Sequence, residues 1–156
     1  PIFFSIRCDA YDIQTMIQGE QAIRRRMNDI DERLRNNETK RDVSKKDKDI
    51  YNTLELALEM VLRGYFFRNI DLNRSASNEF IVDPDNDHYL IPPFTSIDGL
   101  GENVADTVVE ARKHGAFLSK EDLQRRTSLS GTLIKTLESM GVLEGLQDEN
   151  QMSLFG

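Results

Sequence analysis

Two glycines that bracket a leucine, at Gly99, Leu100 and Gly101, constrain the fold of this chain more than any other feature of its sequence. Glycine has no Cβ atom, so it permits a tight turn and lets another molecule approach the backbone closely. The residues that follow are typical of a helix with three apolar residues on one face: Val104, Val108 and Ala111. Because Leu100 is expected to point into the core, the sequence predicts a tight turn packed at the start of a helix.

Residues 97–105 fit the pattern of a helix-hairpin-helix element, in which a Gly-x-Gly turn joins two short helices. In such elements the amides at the start of the second helix reach a DNA phosphate, and the helix dipole favours the anion there. The candidate DNA-contacting residues of this first hairpin are Gly99, Leu100, Gly101, Asn103, Arg112 and Lys113. We expect a valine at either glycine to weaken duplex binding with little loss of fold. A plain glycine turn between two packed helices stays the alternative.

A second hairpin is predicted between residues 119 and 141. Ser119 is placed as an N-cap, and a turn over residues 128–131 precedes a further apolar helix that Gly141 ends. The candidate DNA contacts here are Ser130, Thr132 and Lys135, for which ordinary helix capping is the alternative. Paired hairpins of this type bind both strands of a duplex across the minor groove, independently of sequence and with a strong salt dependence. Residues 95–141 hold seven acids and six Lys and Arg residues, so we expect a modest contact made mainly by the backbone.

The composition limits the classes of function that are open to the chain. Its 156 residues carry a net charge of -7, so a nucleic-acid site must be a local patch. Cys8 is the one cysteine and is expected to be a small core residue, and two histidines are too few to complete a structural zinc site. The sequence lacks an apolar run of about 20 residues and a signal-peptide pattern, which predicts a cytoplasmic protein without membrane partners. Its start at Pro1, within an apparent strand, indicates a fragment of a longer polypeptide.

The residues before the glycine turn predict an α+β fold that is mainly α. Residues 2–8 are typical of a strand, and helices are predicted over about 13–34 and 48–63, with a polar loop between them. Gly64 is placed as the C-cap of the second helix. Short β-like segments follow before the break at Pro92 and Pro93, and helices separated by turns come after it.

Three alternating aspartates, Asp83, Asp85 and Asp87, follow an apolar β-like segment and superficially suggest a metal site. As a calcium loop this stretch fails, because its sixth position is His88 and its twelfth is Phe94, where Gly and Glu are required. The sequence therefore predicts a surface hairpin turn in which the aspartates are solvated and need no metal.

Basic residues cluster between residues 20 and 48, which hold ten Lys and Arg residues against seven acids. Arg24, Arg25 and Arg26 are consecutive and spread over about 200° of a helix, so they cannot all face one surface. A solvated helix face is one interpretation, and contact with a template strand or another protein domain is the other. Arg74, a single cation in an acidic stretch, is a further candidate for contact with template or primer.

The last residues, 147–156, are polar except for Met152, Leu154 and Phe155. Such apolar side chains are unusual in a disordered end. The sequence from Gln151 to Phe155 is typical of a short peptide that fills a hydrophobic pocket on a partner, with Leu154 and Phe155 as anchors. A tail folded onto its own domain stays the alternative.

Several stretches together resemble the C-terminal end of a PolC-type DNA polymerase III alpha subunit, a C-family replicative polymerase. They are "LIPPFTSIDGLGENVADTVVEARKHGAFLSKEDLQRR", "LIKTLESMGVLEGL" and the terminal "QMSLF". The segments "LEMVLRGYFFRNIDLNRSASNEFIVD" and "FFSIRCDAYDIQTMIQGEQAIRRR" resemble the preceding parts of the same family. The resemblance therefore covers essentially the whole chain.

This resemblance implies a domain arrangement and a set of partners. Residues 1–90 would belong to the distal fingers, residues 91–146 would form a duplex-binding domain with tandem helix-hairpin-helix elements, and residues 147–156 would be a flexible tail. The implied sliding-clamp-binding residues are Gln151, Met152, Ser153, Leu154 and Phe155, with Met152 standing where family members usually carry leucine. Template–primer duplex and the remaining polymerase domains are the other implied partners.

The same resemblance implies what this part of the polymerase lacks. Polymerase chemistry needs carboxylates that hold two metal ions, and in this family they lie in the palm, upstream of the segments matched here. We therefore expect no catalytic residue, metal or other cofactor in the chain, and Mg²⁺ in the palm of the intact enzyme. The chain would steady the duplex and tether the polymerase to its clamp. A free-standing helix-hairpin-helix DNA-binding protein of repair type and a protein–protein adaptor are the alternatives.

Overall fold

The computed structural model describes residues 10–149, so the predicted strand at residues 2–8 and Cys8 lie outside the described residues. The fold is α+β and mainly α, as the sequence predicts. Its elements in chain order are α1 (Ile13–Ile17), α2 (Glu20–Arg35), a 3-10 helix (Lys40–Asp42), α3 (Lys45–Leu62), β1 (Phe66–Phe67), β2 (Ile81–Asp83), β3 (Asn86–Ile91), a second 3-10 helix (Phe94–Ser96), α4 (Glu102–Arg112), α5 (Lys120–Arg126) and α6 (Gly131–Ser139).

The first predicted helix is two helices, because Gly19 interrupts it. Gly19 is the N-cap of α2 and has φ +89°, a backbone conformation that a continuing α-helix does not contain. Asp12 caps α1, and its Oδ1 accepts a hydrogen bond from the amide of Thr15 at 3.1 Å. The prediction of one continuous helix over about 13–34 is therefore wrong at residues 18–19.

Helix α3 begins three residues before the predicted start. Ser44 is its N-cap and forms a capping box with Asp47, in which each side chain accepts from the other residue's amide. The polar loop predicted over residues 36–48 therefore contains a 3-10 turn and the first turn of α3. The predicted end at about Arg63 is confirmed to within one residue. Helix α3 stops at Leu62, Arg63 is its C-cap, and Gly64, predicted as the C-cap, follows with φ +90°.

The predicted β segments form a three-stranded sheet in the order β1-β3-β2. Strand β1 runs parallel to β3, with Phe66 opposite Tyr89, and β2 runs antiparallel to β3, with Val82 opposite Leu90. The turn between β2 and β3 is the hairpin turn that the sequence predicts at the alternating aspartates. The sheet follows α3 directly and precedes the glycine turn.

The prediction that the aspartates of this turn are solvated is wrong for Asp83, which is buried. Its side chain is 4% exposed, and its carboxylate accepts from Arg68 Nε at 2.9 Å and pairs with Arg74 Nη1 at 3.3 Å. The Asp85 amide donates to Asp83 Oδ1, and this bond, followed by the Arg68 guanidinium, holds the pKa of Asp83 below its ordinary value. Asp85 Oδ2 lies 2.8 Å from Arg74, so the charge of Arg74 is used within the turn.

Two hydrophobic cores support the described part of the chain, and the chain passes between them more than once. The first core is built from α1, α2, α3 and the sheet, and includes Ile23, Leu54 and Leu90. The second is built mainly from α4, α5 and α6, but it also takes Ile70 and Leu72 from the loop between β1 and β2. The boundary predicted between residues 90 and 91 stays a prediction, since side chains on both sides of it contribute to the second core.

Candidate nucleic-acid interface

The glycine turn is held by a short backbone hydrogen bond and by a buried leucine. The amide of Leu100 donates to the carbonyl of Ile97 at 3.1 Å, which closes a turn around Asp98 and Gly99. Gly99 has φ +79°, a conformation that favours glycine. Leu100 is 3% exposed and Ala105 is fully buried, which confirms the predicted packing of the turn against the core.

The start of α4 exposes amides that the protein does not use. Gly101 is the N-cap, has no side chain to accept from those amides, and gives its own carbonyl to the amide of Ala105 at 3.0 Å. The first amides of a helix have no intrahelical acceptor. Within residues 10–149, those of Glu102, Asn103 and Val104 find no other protein acceptor either. They form a small group of aligned donors where the helix dipole favours an anion.

The two glycines leave open space in front of this group of donors. A Cβ atom built on Gly99 or Gly101 meets no atom within 4 Å. Gly101 has φ −78°, which any residue can adopt, so its lack of a side chain is not required by the protein's own packing or backbone. Gly99 does require glycine for its backbone, so a valine there would strain the turn, contrary to the expectation from sequence.

The segment before the turn differs from the two-helix hairpin that the sequence predicts. It is a single 3-10 turn over Phe94–Ser96, with Pro93 as its N-cap. Phe94 is fully buried and Ile97 is 5% exposed, so the segment is anchored by packing into the second core. The first hairpin is therefore asymmetric, with one short arm and one full helix of 11 residues.

Acidic side chains surround the start of α4, and each is held by a partner. Asp98 pairs with Nζ of Lys46, Glu102 accepts from Nδ2 of Asn78, and Asp106 accepts from Oγ of Ser77. Only the partner of Asp98 carries a charge. An approaching phosphate would therefore meet aligned amides at the centre of the site and acids at its edge.

Arg112 and Lys113, predicted DNA contacts at the end of α4, have partners within the protein. Arg112 Nη1 donates to the carbonyl of Ser75 at 2.7 Å and to that of Leu72 at 3.3 Å. Burial lowers the pKa of Arg112 from its ordinary value, and its side chain fastens the loop after β1 to α4. Lys113 is exposed and lies 2.9 Å from Glu110. The DNA-contacting roles of both residues stay predictions.

The start of α6 is organised differently from the start of α4. Ser130 is the N-cap, and its Oγ accepts from the amide of Leu133 at 3.2 Å, so this hydroxyl performs ordinary capping. Thr132 and Lys135 are exposed, and Lys135 forms no ion pair with any residue between 10 and 149. The start of α6 therefore offers a phosphate mainly the exposed side chains of Thr132 and Lys135, whereas the start of α4 offers mainly free amides.

One hydrogen bond brings the two predicted hairpins together. Thr107 Oγ1, on α4, accepts from the amide of Ser128, in the turn before α6, at 3.0 Å. Thr107 lies about 9 Å along the helix axis from Gly101. The turn that leads into α6 therefore packs beside the first half of α4, with the start of α6 two residues further along the chain.

Arg126 fastens α5 to the end of α4, a role that the sequence patterns do not reveal. Its guanidinium donates to the carbonyl of Ala111 (2.7 Å), in the last turn of α4, and to those of Gly115 (2.8 Å) and Ala116 (3.0 Å), after the helix. It also stacks over the ring of Phe117 and pairs with Asp122 at 3.0 Å. Asp122 is 2% exposed. Ser119, confirmed as the N-cap of α5, accepts from the amide of Asp122 at 3.0 Å.

The chain after α6 returns to α5. The amides of Lys120 and Glu121 donate to the carbonyls of Gln147 and Asp148, and Lys120 Nζ lies 2.8 Å from the Asp148 carboxylate. The first two residues of the predicted tail are therefore bonded to the second hairpin. The predicted clamp-binding residues, Gln151 to Phe155, lie outside the described residues.

Two further properties of the described residues bear on function. Among residues 10–149, His, Cys, Asp and Glu side chains do not gather in groups of three or more with the spacing of a metal site. Over the same residues, the structure contains no helix of the length and apolar character that crossing a membrane requires.

The sequence matches a known motif family and a set of larger proteins. The helix-hairpin-helix motif family matches residues 64–152, more than half of the chain. The PolC-type DNA polymerase III of Bacillus subtilis strain 168 is 50% identical over 153 residues. The proteins of the same name in Streptococcus pneumoniae strain D39 and Listeria innocua are 48% and 43% identical over the same length. These alignments cover 98% of this chain, which spans about 10% of the length of each of these relatives.

Proposed function

Because the chain belongs to the helix-hairpin-helix motif family and its sequence fits a fragment of a PolC-type DNA polymerase III, we propose that it binds template–primer duplex for a replicative polymerase. The binding is independent of base sequence and directed at the phosphate backbone. The chain would steady the duplex for catalysis that takes place elsewhere in the polymerase.

The observation that carries this proposal is the uncapped start of α4. Its aligned amides, at Glu102, Asn103 and Val104, face open space past two residues without side chains. A phosphate oxygen satisfies such donors, gains from the helix dipole and needs the close approach that a side chain at Gly101 would prevent. An apolar protein partner would leave the same amides without acceptors, which disfavours the alternative that the turn only packs against another protein.

The start of α6 supplies a second, weaker contact in this proposal. Thr132 and Lys135 are exposed there, and Lys135 is free to approach a phosphate. The Thr107–Ser128 hydrogen bond holds this start beside α4. The two starts could thus contact one duplex together, with α4 binding through its backbone and α6 through side chains.

The chemistry of nucleotide transfer is proposed to lie in other parts of the polymerase. Two-metal catalysis needs carboxylates that hold Mg²⁺ against the attacking and leaving oxygens. In the described sheet region the buried aspartate is Asp83, and both oxygens of its carboxylate are paired, one with Arg68 and the other with Arg74. This chain's share of the function is therefore binding.

Residues 151–155 are proposed to tether the polymerase to its sliding clamp. The support is the pattern of Gln151, Leu154 and Phe155, which is typical of a peptide that fills a hydrophobic pocket. The hydrogen bonds of Gln147 and Asp148 to α5 would keep such a peptide close to the duplex-binding surface. A tether of this kind raises the local concentration of the polymerase, so a weak peptide contact is sufficient.

The duplex-binding proposal is tested by titrating the chain into a fluorescently labelled duplex at several salt concentrations. We expect the Kd to rise steeply with salt, and Gly101→Val to raise it by about tenfold, the cost of losing a charge-assisted hydrogen bond. The fold should be retained, because Gly101 has an ordinary φ and open space beside it. Equal affinity of the folded Gly101→Val variant and the parent chain would exclude the α4 start as the site.

The clamp proposal has a separate test. Calorimetry with purified clamp should show binding by the chain and no binding by the Leu154→Ala, Phe155→Ala double variant, while both proteins keep the same duplex affinity. Unchanged clamp affinity in the double variant would contradict the tether and leave the duplex proposal standing.

A further inference from the structure

The start of α3 lies against the glycine turn, although 52 residues of sequence separate the two residues that touch. Lys46, in the first turn of α3, pairs with Asp98, which immediately precedes Gly99. Neither side chain is buried, since Lys46 is 55% exposed and Asp98 is 69% exposed. The pair therefore places the start of α3 beside the glycine turn at the protein surface.

Two further lysines lie in the first turn of α3, on either side of Lys46 in the sequence, and give the start of this helix a positive charge. Lys45 is 86% exposed and Lys48 is also exposed, while Asp47, between them, points the other way to Arg26 and Arg33 of α2. Lys45 and Lys48 are three residues apart and so lie on neighbouring positions of the helix surface, about 100° and 160° around the axis of α3 from Lys46. Lys45 has one weak partner, Asp49 at 3.6 Å, and Lys48 has none among the described residues.

These lysines stand where the helix itself favours acids. The N-terminal end of a helix carries a partial positive charge, so cations in its first turn are unfavourable. Three of the first four residues of α3 are nevertheless lysine, and only Asp47 of the capping box has the favoured sign. An anion bound at these lysines from outside the protein would offset this unfavourable interaction.

We propose that Lys45 and Lys48 extend the duplex-binding surface from the α4 start around the first turn of α3, where their long side chains contact phosphates of the same duplex. Lys46 is a positioning residue in this surface. It neutralises Asp98, the acid nearest the free amides of α4, and so removes a repulsion that a phosphate at those amides would otherwise meet. The inference rests on the proposed function, since it requires the duplex to lie at the α4 start.

Charge complementarity selects the occupant of this surface. The chain as a whole carries a net charge of -7, so a local group of lysines next to free helix amides is an exception to its overall charge. Both the amides and the lysines bind oxyanions, and a phosphate backbone offers a row of them. An acidic protein segment is the competing occupant, and the experiment below separates the two.

The first arm of the test measures the salt dependence of duplex binding for Lys45→Gln, Lys48→Gln and Arg63→Gln. Arg63 is a matched control, because it is exposed, pairs with an acid four residues away as Lys45 does, and lies about 27 Å from Lys45 along α3. Each lysine variant should reduce the slope of log K against log salt by about 0.9, the value for one lost phosphate contact. Arg63→Gln should leave the slope unchanged.

The outcomes distinguish the two proposals. If the lysine variants match Arg63→Gln while Gly101→Val still loses affinity, the α3 start is not part of the surface and the proposed function stands. If the parent chain shows no salt-dependent duplex binding, both proposals fail. If the lysine variants lose affinity for an acidic peptide but not for duplex, the surface binds protein and the inference is overturned.

The second arm tests the positioning role of Lys46 with a cycle of variants. Lys46→Gln should weaken duplex binding about two- to fivefold, the range for exposed charges. Asp98→Asn should not weaken it, because it removes the repelling charge. In the Asp98→Asn background, Lys46→Gln should then have no effect on affinity. An equal loss in both backgrounds would show that Lys46 contacts phosphate itself, which contradicts a role through Asp98.

Discussion

The starts of α4 and α6 are both candidate phosphate sites, yet they are built in opposite ways. At α4 a glycine occupies the N-cap, the free amides face open space, and acids lie around them. At α6 a serine occupies the N-cap and uses its hydroxyl to satisfy the amide of Leu133, and Lys135 is exposed one turn later. The start of α4 therefore lacks the stabilisation of a capping side chain and keeps its amide donors free, whereas the start of α6 is stabilised by the side chain of Ser130.

This difference separates what each start can contribute to duplex binding. Free amides offer direction and close contact but little long-range attraction. An exposed lysine offers long-range attraction that salt screens. We therefore expect variants at the α4 start to change affinity at all salt concentrations, and variants at the α6 start to change mainly the salt dependence.

The largest expected effect on stability comes from removing the contact that fastens α5, in the second hairpin, to the end of α4, in the first. Arg126→Ala deletes hydrogen bonds to carbonyls in the last turn of α4 and just after it, and it removes one of the two arginines that pair with the buried carboxylate of Asp122. We expect a loss of about 3 kcal/mol in the free energy of unfolding, at the lower end for breaking a buried pair. Chemical denaturation measures it.

Arg125→Ala is the matched control for that variant. Arg125 also pairs with Asp122, at 2.7 Å, but its side chain is 64% exposed. Its loss should cost less than about 1 kcal/mol. Equal losses of unfolding free energy for the Arg125 and Arg126 variants would mean that the carbonyl contacts of Arg126 contribute nothing to holding α5 against the end of α4.

Acid should weaken the same contact. The amide of Leu118, and then the guanidinium groups of Arg126 and Arg125, hold the pKa of Asp122 below its ordinary value of 3.8. A depressed pKa in the folded state stabilises the fold above the ordinary pKa, and this stabilisation is lost as pH falls through the lowered one. The melting temperature should fall below about pH 4 in the parent chain, and less steeply in Asp122→Asn. Parallel pH profiles of the two proteins would argue against this role of Asp122.

Exchanging the N-cap residues of the two starts tests their contrast directly. Gly101→Ser adds a hydroxyl that can cap α4, which should raise stability by a few tenths of a kcal/mol. The same hydroxyl occupies an amide and narrows the approach, so duplex affinity should fall about tenfold. Ser130→Gly should lower stability by a similar few tenths and leave affinity within about threefold. Fluorescence anisotropy measures the duplex affinity and thermal melting the stability. Equal changes in duplex affinity for Gly101→Ser and Ser130→Gly would contradict the proposed difference between the two helix starts.

The smallest expected effect is at Lys135. Lys135→Gln should raise the Kd about two- to fivefold at low salt and should reduce the salt slope by about 0.9. Arg63→Gln removes the same charge from the C-terminal end of α3 and serves as the control. If the Lys135 variant keeps the parent's salt slope, the α6 start does not contact phosphate.

Local features of the fold were accessible from the sequence because each is encoded by neighbouring residues. Gly64 ends α3 and Ser119 begins α5, as their residue types indicate. Leu100 packs into the core below the glycine turn. Gly19 shows the limit of such patterns. The apolar positions keep a helical spacing except for one step of six, from Ile17 to Ile23, and that step alone did not reveal that Gly19, with φ +89°, ends the first helix.

The partners of the charged side chains were not accessible, because they lie far apart in sequence. Arg112 reaches a carbonyl 37 residues away, and Lys46 reaches an acid 52 residues away. The burial of Asp83 depends on Arg68, which is 15 residues earlier and across the sheet. Charge counts along the chain therefore identified the basic region around residues 20–48. They did not show that Lys46 brings this region against the glycine turn.

The most direct measurement is a titration of the ¹⁵N-labelled chain with a short duplex, followed by the backbone amide signals. If the free amides of the α4 start hold a phosphate, the largest shifts should belong to Glu102, Asn103 and Val104. Smaller shifts should appear near Lys135, and the middle of α2 should remain unchanged. Saturating duplex that shifts other amides and leaves those of residues 101–104 at their free positions would contradict the account.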